Sequence, residues 1–278
     1  RSAEEKMNRR RVVIALSSIL AMGFLLTGCG GGSRANIIKI SGSSSVGPLV
    51  EAEAEVFKKE MPDITVEVNQ LGSSAGIKDA INGTVEIGIS SRDLKEKELE
   101  SGIKEKPIAY DGMSVIINNE NPVQNLTMEQ IREIYTGKIT SWKEVGGEDT
   151  PIVLVSREDG SGTRDAFQEI VGFNSEEISP QAQISDGSGS IKTMVAGNKN
   201  AIGYISFSYV DDSVHAVSID GVNPTAENVQ NKKYKLSRPF LLVYKEENLN
   251  ENSKEFIDFI MSKEGQEIVE EDGLISVT

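Results

Sequence analysis

The chain of 278 residues holds one cysteine, one histidine and one tryptophan, and only 5% of it is aromatic. A single Cys29 rules out a disulfide framework and a cysteine-built metal site within one molecule. With His215 as the sole imidazole, any catalytic or metal-binding scheme that needs two histidines is also ruled out. The chain is short of positive charge, with 29 Lys and Arg against 43 Asp and Glu. Without residues 1–28 the balance is 24 against 41, a net charge of −17. So acidic a body argues against nucleic acid and against attraction to anionic lipid. An anion bound here must be held by local geometry, because the overall field repels it.

No apolar run reaches the roughly 20 residues that a spanning helix needs. The longest, Val12 to Leu26, follows the basic stretch Asn8-Arg9-Arg10-Arg11 and ends in Leu26-Thr27-Gly28-Cys29. This order of basic, apolar and small residues predicts a secretory signal over residues 1–28, to be left out of fold reasoning. Residues 1–6 precede a plausible start at Met7. Leu-Thr-Gly-Cys resembles the bacterial lipobox, which implies lipidation (palmitate among the acyl chains) of Cys29. Residues 29–36, with Gly30 to Ser33 at their centre, then read as a flexible tether to the outer face of the cell membrane. The remaining length suits one large domain or two modest ones.

Short β-branched runs alternate with segments of helical period, the pattern of an α/β fold. Strands are expected at Ile37–Ile40, Ile64–Gln70, Glu86–Ser90, Met113–Asn118, Ile152–Ser156, Ala201–Ser206 and Pro239–Tyr244. Helices are expected at Val46–Lys59, Ile77–Asn82, Met128–Tyr135, Thr163–Val171, Ile191–Ala196 and Ser253–Glu270.

One junction recurs: an apolar strand, a Gly/Ser cluster, then a helix. It occurs at Gly42-Ser43-Ser44-Ser45, at Gly72-Ser73-Ser74-Ala75-Gly76, and at Arg157-Glu158-Asp159-Gly160-Ser161-Gly162-Thr163. In an open parallel sheet such junctions lie along one edge and face a common crevice. Each helix start offers unpaired N–H groups and the positive end of the helix dipole, glycine permits close backbone approach, and hydroxyls add donors. One junction is insufficient, because a hydrogen bond to a charged group contributes only about 1.5–3 kcal/mol while micromolar binding needs about −8 kcal/mol after desolvation. Several must converge with a guanidinium, and Arg157 and Arg92 are the candidates. The plainer account of any single cluster is a turn with a serine cap, and Arg157 alone could equally pair with Asp159 or Glu158. Gly187-Ser188-Gly189-Ser190 reads as a helix cap rather than a fourth donor loop.

These pieces together resemble the periplasmic phosphate-binding proteins of the bacterial phosphate ABC importer. The likeness runs from Ile37 to the C-terminus. It also rests on Ile131-Arg132-Glu133-Ile134-Tyr135-Thr136-Gly137-Lys138-Ile139 with Trp142, and on Ala201-Ile202-Gly203-Tyr204. The resemblance implies a two-lobe periplasmic-binding-protein-like fold (type II), each lobe a mixed sheet flanked by helices, closing over phosphate. Lobe 1 is expected to hold residues 37–114 and 237–278, and lobe 2 residues 115–236, with Met113–Asn118 and Pro239–Tyr244 crossing between them. Carried over onto this sequence, the ligand contacts are Ser44, Ser45, Ser73, Ser91, Arg92, Arg157, Ser161, Gly162 and Thr163. Asp159 is expected to orient Arg157, and Asp93 to stand as an outer partner. Ser91 departs from the family pattern, which has an aspartate there to accept a hydrogen bond from protonated phosphate. The implied partners are inorganic phosphate and the permease and ATPase subunits of an importer; a monomer with no cofactor and no metal is expected.

Two alternatives are weighed against this. The same fold could take sulfate, molybdate or an organic anion. Gly72-Ser73-Ser74-Ala75-Gly76 also matches a hydrolase nucleophile elbow, with Ser74 as nucleophile and His215 as the required base. A Gly-Lys-Ser/Thr phosphate loop is missing, which counts against nucleotide hydrolysis.

Overall fold

The computed structural model describes residues 36–278. The signal segment, Cys29 and the tether up to residue 35 lie outside the described residues. Among the described residues, no helix is long and apolar enough to cross a membrane.

The first third of the body runs β1 (Ile37–Gly42), α1 (Gly47–Glu60), β2 (Thr65–Gln70), α2 (Ser73–Asn82), β3 (Ile87–Ser90) and the short α3 (Glu96–Leu99). A long strand, β4 (Lys104–Ile117), leads to β5 (Asn125–Leu126), α4 (Met128–Tyr135), β6 (Val153–Arg157), α5 (Gly162–Val171), β7 (Gln183–Ser185), α6 (Ser188–Ala196) and β8 (Ala201–Ser206). The chain continues through β9 (His215–Ala216), β10 (Ser218–Ile219) and α7 (Ala226–Gln230). It returns along β11 (Ser237–Tyr244) and ends in α8 (Glu251–Met261) and α9 (Lys263–Glu271). The main sheet is ordered β2-β1-β3-β11-β4-β8-β6-β7, with β9 on β4. Strands β1, β2 and β3 are mutually parallel, as are β6, β7 and β8, while β11 and β4 are antiparallel to their neighbours.

Alternation along these strands shows that both faces of the sheet are covered. In β11, Phe240 and Leu242 enter a cluster with Leu49, Phe57 and Phe256, whereas Leu241 and Val243 face Ile77 and Ala80 of α2. In β4, Val115 and Ile117 join a cluster with Ile131, Trp142 and Phe167, whereas Ile116 faces Ile191 and Val195 of α6. One pair of clusters is drawn from residues 38–109 and 240–274, the other from 113–236 with Ile275. Each half thus has its own core, and each fully buried Ile, Leu or Phe in it contributes about 1.5–3 kcal/mol.

The halves meet where β4 exchanges partners. Its residues 104–112 pair with β11 and its residues 113–117 with β8. There the buried Asp111 accepts from Arg238 Nε and Nη2 at 3.1 and 3.0 Å, and from Ser206 Oγ and Phe207 N at 2.9 and 3.2 Å. This pair ties β11, β4 and β8 together at the crossing.

Two sequence expectations change. The crossing strand is not confined to Met113–Asn118, because it begins at Lys104. Its polar start and Pro107 conceal it; Pro107 has no N–H to donate and sits where the register with β11 shifts. The expected single helix Ser253–Glu270 is two helices broken at Ser262, whose extended backbone ends α8 and whose hydroxyl accepts from Gly265 N to start α9. A side chain at Gly265 would meet Phe259 O at 2.3 Å, so the turn is close-packed.

One residue of the first core breaks the binary pattern. Helical period puts Glu53 on the buried face of α1 with Leu49, Val50 and Phe57, and neither of its carboxylate oxygens has a hydrogen-bond partner. Burial first, then Asp272 and Glu264, raise its pKa to about 9. The folded protein therefore keeps a proton on Glu53 that the unfolded chain releases near the ordinary carboxyl value. Stability drawn from the protonated form is complete at low pH and is lost as pH rises towards 9, at up to about 1.4 kcal/mol per pH unit. Glu53→Met should raise the melting temperature, and by more at pH 8 than at pH 5; equal gains at both would show that titration of Glu53 is not the cause.

Candidate functional site

Four helix starts meet at the carboxyl ends of the parallel strands. The turn after β1 carries Ser43, Ser44 and Ser45 into α1; β2 passes through Gly72 to Ser73, the first residue of α2; β6 ends at Arg157 and leads to Ser161, the N-cap of α5; and β7 passes through Gly187 to Ser188, the first residue of α6. Ser91 follows the end of β3. Glycine sets how closely these elements approach. A Cβ on Gly76 would lie 2.4 Å from Gly42 Cα, and one on Gly88 2.5 Å from Gly76 O. Backbone contact between α2 and strands β1 and β3 is therefore possible only without side chains, and it brings Ser73 alongside Ser91.

The hydroxyls form two connected groups, linked by Ser45 N, which donates to Ser43 Oγ at 3.1 Å. Ser43 Oγ donates to Ser91 Oγ at 2.9 Å, Ser73 and Ser91 share a hydrogen bond of 3.2 Å, and Ser91 N donates to Ser73 Oγ at 3.1 Å. Ser45 Oγ lies 2.7 Å from Thr163 Oγ1 and 2.9 Å from Ser188 Oγ, and Ser44 Oγ lies 3.3 Å from Ser188 Oγ. All seven side chains are less than 9% exposed. Arg157, 2% exposed, donates from Nη2 to Ser44 Oγ at 3.0 Å and from Nη1 to Ser188 Oγ at 3.2 Å. Ser161 Oγ accepts from Arg164 N at 3.1 Å, which fixes the start of α5. Behind the site, Tyr204 Oη bonds Ser156 Oγ at 2.9 Å and accepts from Arg157 N, while its ring stacks on Phe167 at 3.9 Å.

The two halves are in contact here. Ser74 N donates to Gly160 O at 3.2 Å, and Tyr209 Oη donates to Ser44 O at 2.9 Å. A Cβ on Gly162 would stand 2.1 Å from Ser73 Oγ and 2.8 Å from Ser91 Oγ.

The segments 42–45, 72–74 and 160–163 thus face one place, as the sequence reading requires, and Ser44, Ser45, Ser73, Ser91, Arg157, Ser161, Gly162 and Thr163 all belong to it. Two expectations are corrected. Arg157 is oriented by Glu158, not Asp159: Nε and Nη2 donate to the two Glu158 oxygens at 2.7 and 2.8 Å, while Asp159 is exposed. The extra methylene lets Glu158 fold back as a two-oxygen fork on the adjacent guanidinium. Burial works against the charge of Glu158, but Arg157 and the Gly187 amide outweigh it and hold the carboxyl below its usual range. The Gly187–Ser190 loop is not only a cap, since Ser188 touches Ser44, Ser45 and Arg157. The signal for it was the same Gly/Ser spacing, masked by the shortness of β7. Arg92, also among the expected contacts, gives its guanidinium to Glu98, Asp93 O and Ser74 Oγ. Asp93 serves through its carbonyl, and its side chain is exposed.

The hydrolase alternative finds no support: the partner of Ser74 Oγ is Arg92 at 3.1 Å, and His215 lies on β9 paired with Ile117. Among the described residues no group of His, Cys, Asp or Glu is arranged to hold a metal ion. What remains is a cation, hydroxyls and helix N-termini around one point, the chemistry of a tetrahedral oxyanion site.

The PBP superfamily domain matches residues 30–264. The phosphate-binding protein PstS of Bacillus subtilis is 39% identical over 249 residues, covering 87% of this chain and 81% of the relative. The crystal structure of a phosphate ABC transporter substrate-binding protein with bound phosphate from Clostridium perfringens is 66% identical, with a TM-score of 0.87, and covers 87% of this chain and 100% of that one. An ABC-type phosphate transport receptor from Vibrio cholerae is 38% identical with a TM-score of 0.74, over 86% of this chain and 99% of that one. The chain therefore belongs to the PBP superfamily and, within it, to the family of the PstS phosphate-binding proteins.

Proposed function

We propose that this protein captures inorganic phosphate between its two halves and delivers it to the membrane permease and ATPase of an ABC importer. The observation that carries the reading is the convergence of four helix starts and the Arg157 guanidinium on one hydroxyl-lined point. The phosphate-bound relative, at 66% identity, supports the choice of anion. Ser44, Ser45, Ser73, Ser91, Arg157, Ser161, Gly162 and Thr163 are the proposed contacts, joined by Ser43 and Ser188. The protein is a binding protein and not an enzyme.

Residues 37–114 with 237–278 form the proposed lobe 1 and residues 115–236 lobe 2, a division that the separate hydrophobic clusters support. Its two crossing strands allow a hinge. Cys29 is the proposed lipid anchor, holding a monomeric body outside the cytoplasm. Selectivity rests on Ser91 and its neighbours, which can donate or accept, in place of a carboxylate that only an acidic proton would satisfy. Sulfate is thus the natural competitor. Calorimetry with phosphate, sulfate and molybdate in parallel should show heat of binding with phosphate at the lowest concentration; preference for sulfate or molybdate would overturn the assignment while keeping the oxyanion site.

A further inference from the structure

Arg92 stands next to Ser91, yet four of its five N–H groups are spent on the protein. Nη1 donates to Glu98 Oε2 and to Asp93 O, each at 2.9 Å, and Nη2 donates to Glu98 Oε1 at 2.8 Å and Ser74 Oγ at 3.1 Å. The remaining N–H, on Nε, makes no hydrogen bond; Nε and Asp165 Oδ2 stand 3.2 Å apart as an ion pair. A guanidinium has five N–H groups; four are engaged by atoms of the first half and the fifth lies against Asp165. Glu98 is itself fixed, because Lys95 N donates to its Oε2 at 2.8 Å across the start of α3. Asp165 belongs to the other half: it lies in the first turn of α5, and its amide donates to Ser161 O at 3.0 Å. Lys95 Nζ, 3.7 Å away, adds a second, exposed cation on the same carboxylate.

We propose that Arg92 and Asp165 are a positioning pair that holds the start of α5, with Ser161, Gly162 and Thr163, against the first half, and that the pair governs release of the anion rather than touching it. The proposal rests on the reading of the site as an oxyanion cleft closed between two halves. The pair spans those halves, so it is made when they meet and broken when they part; an interaction present in one state alone biases the equilibrium towards that state. The anion enters the parted form and leaves through it. The pair therefore slows departure and leaves arrival unchanged. Its position makes it effective, since the Arg92 side chain is 5% exposed and Asp165 27%, and water screens such a pair poorly.

The test is stopped-flow association and release of phosphate on the wild type, Asp165→Asn, Arg92→Met and the double variant. Asp165 is partly exposed and its replacement keeps the shape, so this variant guards against simple misfolding. Asp165→Asn should release phosphate about tenfold faster with an unchanged association rate, and the same substitution in the Arg92→Met background should add nothing. A release rate equal to wild type, or an equal effect of Asp165→Asn with and without Arg92, overturns the positioning pair. A slowed association in Arg92→Met with unaltered release overturns it too, by making Arg92 a ligand contact. If the wild type takes up sulfate or molybdate instead of phosphate, the ligand assignment alone fails, and the same four proteins are compared with that anion; if it binds none of the three, both fail.

Discussion

Replacing Arg157 with Met should lower phosphate affinity by roughly 10²–10⁴-fold, since two charge-assisted hydrogen bonds contribute about 1.5–3 kcal/mol each and 1.4 kcal/mol is tenfold. The guanidinium is fully enclosed and is held by the Glu158 fork with its Nη1 and Nη2 directed at Ser188 and Ser44. Its loss also leaves the half-buried Glu158 carboxylate, held by the Gly187 amide, facing the site without its counter-cation, so that it repels an anion. Two companions separate these effects. Arg157→Met with Glu158→Gln should recover part of the loss, because the repelling charge is gone. Arg157→Lys keeps the charge but not the two-pronged geometry, and should fall between wild type and Met. Calorimetry measures all three, and an Arg157→Met protein that binds phosphate as tightly as wild type would remove the guanidinium from the site.

The second large effect is expected from a single methyl group. In Gly162→Ala the new Cβ would lie 2.1 Å from Ser73 Oγ and 2.7 Å from Ser73 Cβ. Ser73 belongs to α2 of the first half and is too short to swing aside, so the halves must part. Gly162 opens α5, where alanine is a better helix former than glycine by about 1 kcal/mol. The variant should therefore melt at the same temperature as wild type or slightly higher while losing phosphate affinity by about a hundredfold or more, as expected when a packed contact is overfilled by 3 kcal/mol or so. Small-angle scattering with saturating phosphate should show a wider form than wild type. Undiminished affinity would mean that the two halves do not meet at this residue when the anion is bound.

The parts of the molecule that were legible in the chain are those set by neighbours a few residues apart. β8 runs from Ala201 to Ser206 and α4 from Met128 to Tyr135, as the periodicity and the Thr127 cap require. The strand, Gly/Ser and helix junctions were legible for the same reason, since glycine for close approach and serine at a helix start are local needs. What was hidden had weak local signals. β4 begins in a charged stretch with a proline, β7 has three residues, and the break at Ser262 interrupts a pattern that is helical on both sides.

Sequence alone therefore determined the class of fold, three of the four ligand-facing helix starts and the type of ligand they suit, because hydrogen-bonding needs at a helix end and side-chain alternation in a strand act within one turn or one pleat. Tertiary structure decided which side chains share the site and which do not. Ser45 meets Thr163 across 118 positions of chain and Ser44 meets Ser188 across 144. The choice of Glu158 over Asp159 for Arg157, and the placing of Arg92 against Glu98 and Asp165, were made by side-chain reach and by the carboxylates that packing delivers. No pattern within a short stretch of sequence encodes such distances, since they exist only once the two cores have formed and the crossing strands have set one against the other.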